Sequence, residues 1–109
     1  GETFVMNMPA CYITDLAEVL MDHYGTVDIV ETGTRPGEKL DEMLISEHEA
    51  VLSYSYGPDY FVTLPVNCSD ELINKYKDLD KFPYTEFSSK TKIMNKSEIK
   101  IMLTAGKFI

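Results

Sequence analysis

The stretch from Ile13 to Tyr24 carries apolar residues at helical spacing. Six of them fall at i, i+3, i+4, i+7, i+8 and i+11, which aligns them in one apolar stripe along a helix. Thr14 is the expected N-cap, and Gly25 follows at a position where helices commonly end. The stripe consists of Ile13, Leu16, Ala17, Leu20, Met21 and Tyr24.

Four short segments have the composition or the alternation of β-strands. Residues 3–6 form the first, and residues 27–30, the second, alternate apolar and polar side chains. Residues 51–56 and 60–64 are rich in β-branched and aromatic side chains and flank a Gly-Pro-Asp sequence typical of a turn. These last two segments therefore predict a hairpin-like pair.

A second helix is expected after the turn-rich residues 32–39. Ser46 and Glu49 have the spacing of a capping box, which predicts one further short helical turn behind them. The inward side chains of the second helix are expected to be Leu40, Met43 and Leu44.

The second half of the chain predicts two more helices. Residues 69–79 carry apolar side chains at helical spacing, whereas residues 80–91 are polar and turn-prone. Asn95 and Glu98 have the spacing that opens a helix, and Gly106 is expected to end it.

The predicted element order, β-α-β-α-β-β-α-α, indicates a small mixed α/β (α+β) domain. Its 109 residues suit one domain, residues 1–109, with a short mixed sheet and about four helices. The glycines do not have the GxGxxG spacing of a dinucleotide-binding loop. We therefore expect no Rossmann domain and no cofactor-binding residue in this chain.

The chain is acidic, with 18 Asp and Glu against 10 Lys and Arg, a net charge of -8 and a pI near 4.6. This balance disfavours nucleic acid and anionic membranes as partners, because both are bound through basic surfaces. No apolar run approaches the about 18 residues of a membrane span. The acids concentrate in residues 1–65, which a solvated surface or two faces with different neighbours would both explain.

Cys11 and Cys68 are the only cysteines. One disulfide between them is an option, but the sequence shows no export signal, so we expect reduced thiols and a cytoplasmic protein. Neither cysteine lies in a CxxC pair or near a histidine at metal-ligand spacing. No metal site is therefore predicted.

Most catalytic signatures are missing from the sequence. It has no Walker A loop, GxSxG elbow or HExxH motif, and no tyrosine is followed by a lysine four residues later. His23 and His48 have no partnering ligand pattern. Neighbouring acids such as Asp41 and Glu42 would point about 100° apart on a helix, so they would not converge as an acid–base pair. No catalytic residue is predicted.

Three tyrosines on the predicted hairpin allow two interpretations. Side chains two apart on a strand share a face, so these rings would either stack on a flat ligand or pack across strands. Cross-strand packing is the simpler interpretation. The tyrosines are Tyr54, Tyr56 and Tyr60.

Arg35, the only arginine, lies between a predicted strand and a predicted helix. Arginine binds phosphate through two parallel hydrogen bonds and keeps its charge, so it suits an anionic ligand. Pro36 restricts Arg35 to an extended backbone, and Gly37 permits a sharp turn. Glu38 is expected in the first helical turn, where its carboxylate caps the helix or accepts from ligand hydroxyls. The alternative is an Arg–Glu surface pair beside a turn.

Several blocks of the sequence together resemble one family of bacterial enzymes. The block around Arg35 is fairly specific, and the others support it over nearly the whole chain. They are Gly1-Glu2-Thr3-Phe4-Val5, Met8-Pro9, Ile13-x-Asp15-Leu16-Ala17, Gly33-x-Arg35-Pro36-Gly37-Glu38-Lys39-Leu40-x-Glu42-x-Leu44-Ile45-Ser46 and Lys96-x-Glu98-Ile99-x-x-Met102-Leu103. The sequence resembles the C-terminal domain of polysaccharide-biosynthesis enzymes, which are extended short-chain dehydrogenase/reductase proteins of the UDP-N-acetylglucosamine 4,6-dehydratase and 5-epimerase type.

The resemblance implies a division of labour between two domains. An N-terminal Rossmann domain would hold NAD(P) and the catalytic residues, while a domain like this one would close over the UDP-sugar. Arg35 would contact the UDP diphosphate, and Glu38 the ribose hydroxyls. The chain has Asn7 before Met-Pro where the family often has lysine, and Asp41 after Lys-Leu where it often has histidine.

We therefore expect the substrate-binding C-terminal domain of a UDP-sugar dehydratase or epimerase for cell-surface polysaccharides such as capsule. The isolated chain would be inactive, because redox chemistry at the sugar needs a nicotinamide cofactor that another domain positions. A stand-alone protein-interaction or scaffold module is the alternative. Association with further copies of the chain, as a homo-oligomer, is compatible with either. The expected partners are a UDP-sugar and the Rossmann domain of the parent enzyme.

Overall fold

The computed structural model describes all 109 residues and contains four helices and five strands. In chain order these are β1 (Thr3–Met6), α1 (Ile13–Tyr24), β2 (Met43–Ile45), α2 (Glu47–Ala50), β3 (Ser53–Tyr56), β4 (Tyr60–Thr63), α3 (Asp70–Tyr76), β5 (Phe87–Ser88) and α4 (Lys96–Ala105). No helix is long and apolar enough to span a membrane.

The five strands form two small antiparallel sheets. In the larger sheet β4 lies between β1 and β3. β3 and β4 confirm the predicted hairpin, with Tyr56 opposite Tyr60 and a positive φ of 69° at Gly57 in the turn. The smaller sheet pairs Met43 of β2 with Ser88 of β5. The mixed α/β class with four helices is confirmed, but the single short mixed sheet that was expected is replaced by two sheets whose strand pairs are all antiparallel.

Three separate clusters of buried side chains form the core. Residues of a strand alternate between the faces of a sheet, so Phe61 and Val62 of β4 belong to different clusters. The third cluster lies between α1 and α4, away from the sheets. The clusters are Ile45, Phe61, Phe82 and Phe87; then Tyr54, Val62, Leu64 and Tyr76; then Val19, Met94 and Ile99.

The predicted bounds of α1 are confirmed, but its N-cap is Tyr12 and not Thr14. The backbone of Tyr12 is extended and the helix begins directly after it, so Thr14 already lies inside the first turn. Of the apolar stripe, Leu16 packs on the third cluster, whereas Ile13 and Tyr24 are exposed. The other three residues of the stripe are half-buried, and the one buried residue of α1, Val19, lies outside the predicted stripe.

An ion pair between Lys96 of α4 and Glu18 of α1 joins the two helices. The hydrogen bond to the Glu18 carboxylate, followed by its charge, raises the pKa of Lys96.

The capping box predicted at Ser46 and Glu49 is present, and the helix start predicted at Asn95 and Glu98 is a second capping box. Ser46 and Glu49 bond reciprocally at the start of α2, and Asn95 and Glu98 do the same at the start of α4. Gly106 is the C-cap of α4, as predicted. These signals act between residues three apart in sequence, so they do not depend on the rest of the fold.

Two predicted elements between α1 and α2 are wrong. Residues 27–30 form no strand and lie in an exposed, irregular segment, because no other strand lies alongside to accept their hydrogen bonds. The expected helix with Leu40, Met43 and Leu44 inward does not form; residues 43–45 are β2 instead. Burial of Ile45 against the Phe61 and Phe87 rings, together with pairing to β5, outweighs the helical pattern.

The polar, turn-prone residues 80–91 contain β5 and two core side chains that sequence inspection missed. Phe82 and Phe87 are buried and contact the Phe61 ring edge-on, with centroids 4.9 and 5.3 Å away. Their spacing matches neither a helix nor a strand, so their burial depends on where the loop crosses the sheet.

The molecule is elongated, at 56 × 35 × 19 Å. Its radius of gyration is 17.9 Å, against about 13 Å for a compact domain of this length. Its accessible surface is 8361 Å², whereas a folded monomer of this mass exposes about 6,100 Å². Much more surface is therefore open than a self-contained domain of this size presents.

Candidate functional site

The predicted binding residues lie on the long connection between α1 and β2. Every residue from 22 to 43 is exposed. Between Thr26 and Leu40 the only hydrogen bonds are the two that join Arg35 to Glu38. The connection thus carries one ordered feature, a turn, on the outside of the molecule.

The turn consists of Arg35, Pro36, Gly37 and Glu38. The Glu38 amide donates to the Arg35 carbonyl at 3.1 Å, which closes the four-residue turn. Proline at the second position and a glycine with φ of +86° at the third are the signature of a type II turn. Proline presets one dihedral and glycine accepts the positive φ at no steric cost, so the turn forms from its own four residues.

Glu38 closes the turn a second time through its side chain. One carboxylate oxygen, Oε2, accepts the Arg35 amide at 3.0 Å, and the other, Oε1, lies 3.8 Å from Arg35 Nε. The prediction that Glu38 caps a helix is wrong, because no helix follows it. A carboxylate has about four acceptor positions, so it retains capacity for ligand hydroxyls.

The Arg35 guanidinium remains open to an anion. The side chain is 88% exposed, and its ion pair with Glu38 is made through Nε, at the edge of the planar group. Exposed ion pairs of this kind contribute about 0–1 kcal/mol, so a phosphate that takes both terminal nitrogens would compete readily. The predicted Arg–Glu surface pair is present, and the phosphate-binding role of Arg35 stays a prediction.

The charge around the turn is mostly negative. Residues 22–43 contain six acids and two bases, Arg35 and Lys39. A field of this sign does not attract anions from a distance. Any anion bound here would be held by the two-pronged geometry of arginine instead of by a general positive surface.

A cleft of about 570 Å³ opens where the connection rejoins the fold. Its volume is in the range typical of small-molecule sites. Apolar walls and one ion pair, between Lys90 and Asp41 at 3.1 Å, line it. The lining residues are Cys11, Tyr12, Ile13, Leu40, Asp41, Ser89, Lys90 and Ile93.

The other candidate groups are placed apart from the turn. Tyr54 is buried, and Tyr56 meets Phe4 and Tyr76 edge-on at 5.2 and 6.2 Å, which supports cross-strand packing over a stacking shelf. No three His, Cys, Asp or Glu side chains gather where they could hold a metal ion. Cys11 and Cys68 are free and pack against different clusters.

Sequence inspection missed three residues that fasten the connection to the fold: Asp41, Ser89 and Lys90. Asp41 and Ser89 are 48 positions apart, yet the Ser89 hydroxyl donates to the Asp41 carboxylate at 3.3 Å. No local spacing announces such a contact. The one signal in the sequence that marks this position is Asp41 itself, because the family that the sequence resembles often has histidine there.

Comparison with known proteins gives a consistent family. The profile described as polysaccharide biosynthesis protein matches residues 1–64. UDP-N-acetylglucosamine 4,6-dehydratase (inverting) of Campylobacter jejuni is 34% identical over 71 residues, which cover 65% of this chain and 20% of that protein. An uncharacterized membrane protein of Methanocaldococcus jannaschii is 34% identical over 113 aligned positions, covering 94% of this chain and 31% of that protein.

The fold also matches a solved structure. The X-ray structure of Pen from Bacillus thuringiensis superimposes with a TM-score of 0.75 at 25% sequence identity, covering 100% of this chain and 32% of the other. The chain thus spans about a third or less of the length of each of these relatives.

Proposed function

The chain belongs to the polysaccharide biosynthesis protein family, and from this premise we propose that it is the substrate-binding part of a nucleotide-sugar 4,6-dehydratase or epimerase. In this proposal the ligand is a UDP-sugar. Arg35 binds the diphosphate, and Glu38 accepts hydrogen bonds from the ribose hydroxyls. The chain contributes binding and orientation, and the reacting groups belong to another part of the full-length protein.

The observation that carries the proposal is the Arg35–Glu38 turn. It holds one arginine and one carboxylate side by side within residues 26–40, which make no other hydrogen bond, and the Arg35 side chain is 88% exposed. A cation that forks onto phosphate beside an acceptor for hydroxyls matches a ribose diphosphate, which carries both groups a few ångströms apart. The similarity to the Campylobacter jejuni dehydratase supports the same ligand class.

The nicotinamide cofactor that this class of enzyme uses does not fit the residues of this chain. Of the glycines with positive φ, Gly25, Gly33 and Gly37 lie in the connection between α1 and β2 and Gly57 lies in the β3–β4 hairpin, so none lies in a loop that leads from a strand into a helix. Our proposal therefore places the cofactor on another part of the full-length protein and assigns no step of its chemistry to this chain.

The open surface supports a role as part of a larger assembly. The exposed area is about 2,200 Å² above that of a folded monomer of this mass, whereas each side of a standard interface buries about 800 Å². A stand-alone interaction module would also present such a surface. We favour a second domain of the same polypeptide as its cover, because the relatives are about three or more times as long.

Titration with UDP, followed by amide chemical shifts of the whole chain, tests the proposal. We expect the largest shifts at residues 33–39 and a dissociation constant at least about tenfold weaker in Arg35→Ala, because a hydrogen bond to a charged group contributes about 1.5–3 kcal/mol. Arg35→Lys keeps the charge but loses the fork, so its affinity should lie between the two.

Lys39→Ala is the matched control, since it removes a positive charge from the same connection without touching the turn. It should bind UDP nearly as well as the unaltered chain. Equal loss of affinity in Lys39→Ala and Arg35→Ala would show a non-specific charge effect and contradict the proposal, as would the absence of any shift at millimolar UDP.

A further inference from the structure

The long connection is fastened to the fold at its C-terminal end. The Glu42 amide donates to Ser89 Oγ at 3.0 Å, and the Ser89 amide donates to the Glu42 carbonyl at 2.9 Å. The same Ser89 hydroxyl donates to Asp41 Oδ1 at 3.3 Å, while Lys90 Nζ lies 3.1 Å from Asp41 Oδ2. Four polar contacts thus converge on two residues of the connection.

The segment that receives these contacts is itself held in place. Ser88 is buried and pairs with Met43 of β2, and the Thr91 hydroxyl accepts the Ser88 amide at 2.9 Å. The Lys90 amide donates to the Ser88 hydroxyl at 3.1 Å. Because residues 88–91 are hydrogen-bonded to one another and to β2, they give the connection a fixed point of attachment.

The fixed point is close to the candidate site along the chain. Asp41 follows Glu38 by three residues, so at most about 10 Å of extended backbone separates the ion pair from the Arg35–Glu38 turn. No hydrogen bond to the fold is made between Thr26 and Leu40. The position of the turn in space therefore depends on the contacts of Asp41 and Glu42.

We propose that Asp41, Ser89 and Lys90 form a clasp that positions the Arg35–Glu38 turn for its ligand. Asp41 and Lys90 act as positioning residues, through the backbone of the connection and without touching the ligand. The part of this inference that concerns binding rests on the proposed function, whereas the ordering of the turn does not. The clasp also forms one wall of the 570 Å³ cleft, so opening it would open the cleft.

Backbone order parameters and UDP affinity, measured on the same variants of the whole chain, test the clasp. Asp41→Asn and Lys90→Met should each lower the order parameters of residues 35–42 and weaken UDP binding by about two- to fivefold, since an exposed ion pair contributes up to about 1 kcal/mol. The charge-swapped chain, Asp41→Lys with Lys90→Asp, should recover both quantities in large part.

Two matched controls make the same chemical changes away from the clasp. The controls are Asp28→Asn and Lys100→Met. Asp28 lies in the same connection and makes no ion pair, and Lys100 lies on the exposed face of α4. Neither should change the order parameters of residues 35–42. If both lower them as much as the clasp variants do, the effect is not specific to the clasp and the clasp is refuted.

The outcomes separate this inference from the proposed function. Unchanged order parameters in Asp41→Asn and Lys90→Met would overturn the clasp even if UDP binds. Loss of order that the swap restores, in a chain that does not bind UDP, would support the clasp and overturn the proposed function. A Lys90→Met chain with normal order but weaker UDP binding would make Lys90 a ligand contact, which overturns its positioning role.

Discussion

Gly37 sets the geometry of the candidate site at the scale of a single residue. Its φ of +86° belongs to the left-handed region, and a Cβ added there would meet no atom within 4 Å. Glycine is therefore favoured at this position by its backbone conformation and not by a lack of space for a side chain. An L-residue in a left-handed conformation costs about 1–2 kcal/mol, which the short turn has few other contacts to offset.

We expect Gly37→Ala to open the turn without unfolding the protein. The hydrogen bond from the Glu38 amide to the Arg35 carbonyl should be populated at least about fivefold less, given that strain. The temperature coefficient of the Glu38 amide shift would report the loss directly. The melting temperature should not move, because this part of the connection packs against nothing.

Gly33→Ala is the control for this prediction. Gly33 has a φ of +80° and equally open surroundings, but it takes part in no hydrogen-bonded turn. It should leave the Glu38 amide unchanged. A Glu38 amide that stays hydrogen-bonded in Gly37→Ala would show that residues outside the turn hold it in shape.

The predictions about single residues succeeded mostly where the chemistry is local, with the helix caps expected at Thr14 and Glu38 as exceptions. Gly37 was expected to permit a sharp turn after Arg35, and it does; the Arg–Glu pair that forms was the alternative to ligand binding, and the helix expected to begin at Glu38 is absent. Asp41 was not expected to contact Ser89 and Lys90, since only the folded chain brings residues 48 positions apart into contact.

The capping box of α2 makes the stability of the folded state depend on pH. The Ser46 amide donates to the Glu49 carboxylate at 3.0 Å, and the Glu49 amide donates to the Ser46 hydroxyl at 3.2 Å. The backbone hydrogen bond, and then the hydroxyl, lower the pKa of Glu49 from its ordinary 4.5. The folded state therefore favours the charged carboxylate.

Stability should fall with acid partly through Glu49. Because its pKa is lower in the folded than in the unfolded state, its contribution is present above pH 4.5 and is lost as the pH falls through the folded value. Glu49→Gln should shift the urea midpoint more at about pH 7 than at about pH 3. Solvent screening keeps the difference below about 1 kcal/mol.

Glu47→Gln controls for this prediction, since Glu47 precedes Glu49 by two residues in α2 and makes no hydrogen bond through its side chain. Its effect on the midpoint should depend less on pH. Equal pH dependence of the two variants would mean that the capping box does not couple to protonation.

Elements with their own local signals were predictable, and elements that need a partner were not. The residues that specify the capping boxes and the turn of the β3–β4 hairpin lie within a few positions of one another. Residues 27–30 alternate like a strand but have no neighbour to pair with, and residues 43–45 look helical but are drawn into β2 by the burial of Ile45. Hydrogen-bond partners across a sheet cannot be read from either segment alone.

The three core clusters divide the whole molecule into parts of different stability. Ile99 is fully buried between Val19 and Met94, and this third cluster holds α1 against α4. The two sheet clusters share β4, so they support each other. The helix pair lacks that support and should open more readily.

We expect Ile99→Ala to destabilise the helix pair selectively. Losing the buried side chain costs about 2–5 kcal/mol, most of it felt where the cavity forms. Amide hydrogen exchange should accelerate throughout α1 and α4 while β3 and β4 keep most of their protection.

Ile101→Ala provides the control on the same helix, because Ile101 is 69% exposed. It should change the exchange of neither helix appreciably. Equal acceleration of exchange in α1, α4, β3 and β4 after Ile99→Ala would show instead that the molecule unfolds as one cooperative unit.

At the largest scale, the sequence by itself determined the fold class, the capped helices, the hairpin and the Arg35–Glu38 turn. The capping boxes and the turns follow from interactions between residues a few positions apart, whose energies hardly depend on their surroundings, and the fold class follows from the mixture of helices and strands predicted along the chain. Only the tertiary structure decided the β2–β5 pairing, the burial of Phe82 and Phe87 and the contacts of Asp41 with Ser89 and Lys90. These contacts join distant parts of the chain, and their free energy exists only once folding has brought both partners together.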